Sequence, residues 1–185
     1  GESVGNLMFD SGAEVTGLSH MMIMITFISV FAYDYLYRSG LIKDVRVMTV
    51  VTFVLIAGII YLMKFYGQFS YRAFNIHLGA LFGTNMAFNV WFRIWPAQQS
   101  IITAIKNGEA PDGDLVALAG LRSKHNTYMS VPLIWTMMNQ HTTVFAGGNF
   151  GITDSTNWLV LLIIIALGWH IVWQLYKKSG TVKGF

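Results

Sequence analysis

Apolar residues run almost unbroken through five stretches of this chain, each close to the roughly 20 residues that a helix needs to cross a hydrocarbon layer. The pattern predicts spans over residues 17–37, 45–66, 73–95, 126–146 and 157–176. Polar or turn-forming breaks separate them: Arg38-Ser39-Gly40 with Lys43 and Asp44, Gly67-Gln68, the polar stretch after Pro96, and the run from Gly147 to Gly151. The expected fold is an all-α polytopic transmembrane bundle of five spans. Residues 1–16 are expected as an external tail, 96–125 as a cytoplasmic loop and 177–185 as a cytoplasmic tail. In that loop Ile101, Ile102 and Ile105 share one face of a short amphipathic helix, expected to lie along the membrane surface. Asp112 is placed to cap a second short helix through Leu115, Leu118 and Leu121.

The positions of Lys and Arg orient the bundle, because cytoplasmic loops retain positive charge. With the N-terminus outside, ten basic residues fall on the inner side (Arg38, Lys43, Arg46, Arg93, Lys106, Arg122, Lys124, Lys177, Lys178 and Lys183) against Lys64 and Arg72 outside. The N-terminal tail, with Glu2, Asp10 and Glu14, agrees, so the orientation is N-out, C-in. Tyr33, Tyr35, Tyr37, Trp91, Trp95, Trp158 and Trp173 stand near span ends, where interfacial aromatic belts form. Arg93 is expected to snorkel, and Asp34 to be a solvated anchor or a partner for Arg38.

Composition narrows the chemistry. Apolar residues make up 54% of the 185-residue chain and charged ones 11%, the balance of one integral membrane domain. Basic residues scattered over loops exclude a nucleic-acid footprint. The absence of cysteine excludes disulfides, thiolate-held iron–sulfur clusters and covalent haem within this sequence, so a redox group must rest on nitrogen or oxygen ligands.

Histidine supplies the nitrogen. A ring that ionises is costly in hydrocarbon, and of the five histidines four sit inside or at the rims of apolar stretches. His77 and His141 fall about equally far from the outer ends of the third and fourth spans, an arrangement suited to two axial imidazoles of haem b, or to copper or non-haem iron with a further ligand. His20 joins that outer group and His125 with His170 forms a looser inner pair, all three being weaker metal candidates on position alone. Gly79 and Gly83 allow close approach of a helix or a flat cofactor. Thr84 follows two turns below His77, and Asn85, Asn89 and Arg93 form an adjoining polar stripe. The fourth span repeats the polar character with Thr127, Ser130, Thr136, Asn139, Gln140 and His141, and Pro132 is expected to kink it. The second span and most of the fifth are plainly aliphatic and expected to face lipid. For His20 and His170, hydrogen bonding between helices is the simpler reading, as packing is for the ten methionines.

Several strings in order resemble the membrane domain of the bacterial urate hydroxylase family: HLGALFGTNMAFNV from His77 to Val90, Pro96 and Gln98, GEAPD from Gly108 to Asp112, RSKHN from Arg122 to Asn126, and NQH from Asn139 to His141. The resemblance runs from about Tyr33 to Tyr176. It implies a bacterial cytoplasmic-membrane protein associated with oxidation of urate to 5-hydroxyisourate, with electrons passed to the respiratory chain, commonly through a c-type cytochrome domain. It places His77, His125, His141, Gly79, Gly83, Thr84, Asn89 and Asn126 on family motif positions, with His77, His125 and His141 as the metal candidates. The sequence lacks the helices that precede this region in the family and a Cys-x-x-Cys-His motif, which favours a subunit of a larger redox assembly. The expected function is thus a membrane redox subunit carrying haem b, or alternatively copper or non-haem iron, alongside other membrane subunits and a c-type cytochrome. The competing expectation is an accessory structural subunit without a cofactor. A transporter is disfavoured, since no inverted repeat and no intramembrane carboxylate stripe is visible.

Overall fold

The computed structural model describes residues 8–9, 14–139, 141, 145 and 150–181. The outer expectations on Glu2, Asp10, Gln140 and the 146–149 run, and the inner one on Lys183, lie outside the described residues. Among the described residues these α-helices follow in order: α1 (Gly17–Arg38), α2 (Val45–Tyr61), α3 (Tyr71–Asn89), α4 (Trp95–Lys106), α5 (Gly113–Asn139) and α6 (Asn157–Ser179). A π-turn extends α2 through Leu62–Tyr66, and another, Val90–Ile94, joins α3 to α4. The fold is all-helical; among the described residues the only β pairing is a single bridge between Phe9 and Phe69, reinforced by the Ser70 N–H donating to the Met8 carbonyl.

Local chemistry sets the starts of the helices. Asp44 Oδ1 accepts from the Arg46 and Val47 amides at the head of α2, and Ser70 Oγ accepts from Ala73 N at the head of α3. Asp112 Oδ1 accepts from Asp114 N, as expected of a cap, yet the helix that follows does not stop after Leu121. It runs on through Pro132 to Asn139 as one 27-residue element.

Among the described residues three helices are long and apolar enough to cross a membrane: α1, α2 with its π-turn, and α6. These are the outer members, and α2 buries only Met48, Ile56 and Ile60 of its own α-helical residues. Helix α6 buries Asn157, Leu161, Ile165, Gly168 and Val172, one face at helical spacing, while Leu159, Ile163, Leu167 and Ile171 point outward. The aliphatic spans are thus peripheral, as expected. Helix α3 is the hub: ten of its residues are buried, including Phe74, Leu78, Leu81 and Phe82 but also Asn75, Asn85 and Asn89. Its polar residues lower its hydropathy because they face protein.

The segment after Pro96 departs from expectation. The helix through Ile101, Ile102 and Ile105 forms as α4, but it continues from α3 through the π-turn and packs against the long α5 as a helical hairpin, and the expected second short helix is the first part of α5 rather than a separate element. Pro96 falls in the first turn of α4, where a missing N–H costs little. The fourth apolar stretch therefore begins inside a helix that already started at Gly113.

Candidate functional site

Helices α3 and α5 run antiparallel with close, ordered contacts along their length. Where the first turns of α3 meet the last turn of α5, Asn139 Nδ2 donates to Tyr71 Oη and to Asn75 Oδ1 (3.1 Å), while Asn75 Nδ2 donates to its own-helix Tyr71 carbonyl (2.7 Å). Midway, a Cβ on Gly79 would stand 2.6 Å from Thr136 Oγ1, so Gly79 is a packing contact. An open-sided furrow of about 280 Å³ runs along this seam, lined by Ile76, Gly79, Ala80, Leu133, Thr136 and Met137. Gly83 meets nothing within 4 Å, and Thr84 beside it is half-buried.

Polar groups gather at the opposite end of this pair, where α1, α3 and α5 converge. Asp34 of α1 accepts from Arg93 through Nε (2.9 Å) and one terminal nitrogen, and from Arg122 of α5 (2.9 Å). Arg38, one turn along α1, adds a looser contact at 3.6 Å. Arg122 is 1% exposed, and its guanidinium carbon lies 5.2 Å from the centre of the Tyr33 ring. Asn89, fully buried, donates to Tyr33 Oη and to Asn126 Oδ1, each at 2.8 Å, and accepts from Arg122 at 3.4 Å. Asn126 Nδ2 in turn donates to the Met86 carbonyl (3.2 Å). Tyr33 Oη also meets His125 Nδ1 at 2.8 Å, and the Tyr37 ring sits 4.3 Å from that imidazole. Because Tyr33 oxygen already accepts from Asn89, its proton is available to Nδ1, an assignment that leaves the ring proton of His125 on Nε2.

The histidines take separate places. His77 is half-buried, its Nδ1 bonded to the Ala73 carbonyl (2.8 Å) and its ring 4.7 Å from Phe69. His20 repeats this bond to Thr16 O (3.0 Å) but is exposed. His141 is exposed two residues beyond the end of α5. With Asn139 level with Asn75, the register that the Gly79–Thr136 contact also gives, His77 and His141 are offset by roughly 6 Å along the axis at 1.5 Å per residue. His170 is exposed, against Gln174 and Trp173, and His125 has the Tyr33 partnership instead. Among the described residues no three His, Asp or Glu side chains group as a metal site.

Arg93 does not snorkel and Asp34 is not solvated; each is the other's partner inside the bundle. Tyr33 and Tyr37 are half-buried, Tyr33 bonded within the cluster and Tyr37 meeting Thr52 of α2 at 2.9 Å. Arg122, counted in the sequence as a loop charge, is the most buried cation of the cluster. The signal for this group was present: ionisable residues at the rim of apolar stretches, one carboxylate among three guanidiniums.

A family model described as urate oxidase N-terminal matches residues 7–183. The chain belongs to the urate oxidase N-terminal family. The match covers α3, α5 and all the cluster residues. No characterised protein and no solved structure shows significant similarity to the chain.

Proposed function

We propose that this chain is the membrane-embedded part of a urate-hydroxylating oxidoreductase of the bacterial cytoplasmic membrane, with five spans in the N-out, C-in sense. The observation that carries the reading is the inner assembly. Asn89 comes from one family-like string and His125 and Asn126 from another, more than 30 residues apart, and all three enter one hydrogen-bonded group with Tyr33, supported by Asp34 and Arg122. Converting urate to 5-hydroxyisourate adds the oxygen of one water and releases two electrons and two protons. The Tyr33–His125 pair offers an accepting nitrogen and a phenolic O–H at the end of the bundle where protons would leave.

For the electrons, His77 is the imidazole best prepared to hold a metal group. Its Nδ1 is tied back to a carbonyl, the arrangement that orients metal-bound imidazoles, and Nε2 is the remaining ring nitrogen. Haem b, with His141 as second ligand, is the first candidate because it needs axial imidazoles alone, whereas copper or non-haem iron calls for a fuller ligand set. Held by His77 and His141, such a group would supply one-electron redox chemistry to the site, with a neighbouring membrane subunit or a c-type cytochrome as the proposed partner.

Membranes containing the protein with its native partners should reduce an added electron acceptor when given urate, and Asn89→Ala and His125→Ala should lower that rate at least tenfold while leaving any b-type absorption band in place. His77→Ala should remove the band. Absence of urate-dependent reduction overturns the activity; purified protein without a b-type band, iron or copper overturns the cofactor. The second reading, an accessory structural subunit, is favoured by the tight Gly79–Thr136 contact and the satisfied Nδ1 of His77. It requires His77→Ala to reduce assembly with no spectral change.

A further inference from the structure

The π-turn that ends α2 does more than lengthen it. Gly67 N–H donates to the Leu62 carbonyl five residues back (2.8 Å), and that wider spacing decides which side chains share a face. In an α-helix residues five apart stand about 140° apart, so Tyr61 and Tyr66 would look in different directions. Here their ring centres are 6.3 Å apart. Phe65 lies 4.6 Å from Tyr61, and Trp158, in the first turn of α6, lies 5.6 Å from Tyr61 and 6.0 Å from Phe65. Lys64, beside these rings in sequence, turns inward instead: its side chain is 4% exposed, and both Asp154 oxygens accept from it at 2.9–3.0 Å.

The four rings form one contiguous patch that is open to its surroundings. Tyr61, Phe65 and Tyr66 are 40–52% exposed. Neither the Tyr61 nor the Tyr66 hydroxyl bonds another described residue, whereas those of Tyr33, Tyr37, Tyr71 and Tyr176 are all engaged. The patch also joins two of the helices that are long and apolar enough to cross a membrane. Helix α2 with its π-turn has 22 residues, about 33 Å against a hydrocarbon layer of roughly 30 Å, so with the Asp44 cap at one boundary the rings reach the other. Of the aromatic residues that the sequence placed near span ends, Trp158 alone enters this patch.

We propose that Tyr61, Phe65, Tyr66 and Trp158 form one anchor that sits in the glycerol–carbonyl layer of a phospholipid bilayer and fixes how deeply this end of α2 and α6 is immersed. The Tyr61 and Tyr66 hydroxyls turn to lipid carbonyls and water. Rings with an apolar body and a polar tip partition to that layer. A partner helix packed on the same face would bury both hydroxyls unpaired, a cost that lipid carbonyls and water do not impose. The proposal does not depend on urate chemistry.

The full chain in phosphatidylcholine–phosphatidylglycerol vesicles, with part of the lipid brominated either just beneath the carbonyls or near the chain ends, tests it. Trp158 emission, taken as the difference between each protein and its Trp158→Phe counterpart, should be quenched several-fold more by the shallow bromine than by the deep one. Tyr61→Leu/Tyr66→Leu keeps apolar bulk and removes the polar tips, so Trp158 should sink and the shallow preference fall by about half or more. Both tyrosines are exposed, so an unchanged size-exclusion profile is expected and serves as the folding control. Tyr35→Leu, which removes an exposed ring of α1, should leave the preference unchanged. Equal quenching by the two bromines, stronger quenching by the deep one, or protection from both, which a covering protein would give, would overturn the proposal. So would a double variant that keeps the full preference, or an equal loss in Tyr35→Leu.

Discussion

Replacing Asp34 by Asn keeps the shape of the side chain and removes its charge. The consequence depends on the partners left behind. The Arg122 side chain is 1% exposed and that of Arg93 22%, so neither guanidinium can recover full hydration, whereas Arg38 at 61% can. Stripping the counter-charge from a buried cation costs about 3–5 kcal/mol, and the exposed Arg38 contact adds under about 1 kcal/mol. For a chain of this size that corresponds to a fall in apparent melting temperature of roughly 6–20 °C. Thermal-shift size exclusion in detergent reads it directly. Asp154→Asn is the matched comparison: it removes the partner of Lys64, but its own side chain is 68% exposed and water can replace it, so a smaller shift of about 1 kcal/mol or less is expected. In Asp34→Asn/Arg122→Met the orphaned cation is gone, and the loss should be smaller than the sum of the two single changes. A shift within 2 °C for Asp34→Asn, or one no larger than that of Asp154→Asn, would refute the idea that a buried carboxylate organises this end of the bundle.

Gly79→Ala drives a methyl group into Thr136 Oγ1, already donating to the Leu133 carbonyl, and should destabilise by about 1–3 kcal/mol; Gly83→Ala meets open space in a helix and should be neutral or stabilise by up to about 1 kcal/mol, both by thermal shift. Tyr33→Phe takes one acceptor from buried Asn89 and the hydroxyl from His125, so a loss of about 1–3 kcal/mol is expected, with Asn89→Ala giving less in the Tyr33→Phe background than alone. Tyr176→Phe breaks only an exposed bond to Thr127 and should cost less than about 1 kcal/mol in the same assay.

Helix placement was largely legible. The stretch 45–66 matches α2 with its π-turn, and 157–176 falls three residues short of the end of α6. Long aliphatic runs have one physical meaning, and the pattern reports it. The region 96–125 was harder because its punctuation is ambiguous: Pro96 ends a helix in most contexts but begins one when it falls in a first turn, and the π-turn lets α3 run into α4. In the site, Asn89, His125 and Asn126 were marked by residue type and by the family-like strings around them. Asp34 was read as an anchor or a partner for Arg38, whose contact at 3.6 Å is present, but its closer partners were not foreseen, and Arg122 was counted as a loop charge, because hydropathy counts a charge without knowing what stands opposite. Only the packing of α1 against α3 and α5 reveals that they are partners.

Helical backbone is continuous from Tyr71 to Lys106, 36 residues or about 54 Å, well beyond the roughly 30 Å of a hydrocarbon layer. On the five-span reading proposed above, a member of that length protrudes by some 20 Å, and its far end is the Asn107-Gly108 turn that leads back into α5. Whatever grips that tip holds a lever whose fulcrum is the Arg93–Asp34 contact. A sideways push in the aqueous phase would then arrive at the buried carboxylate as torque.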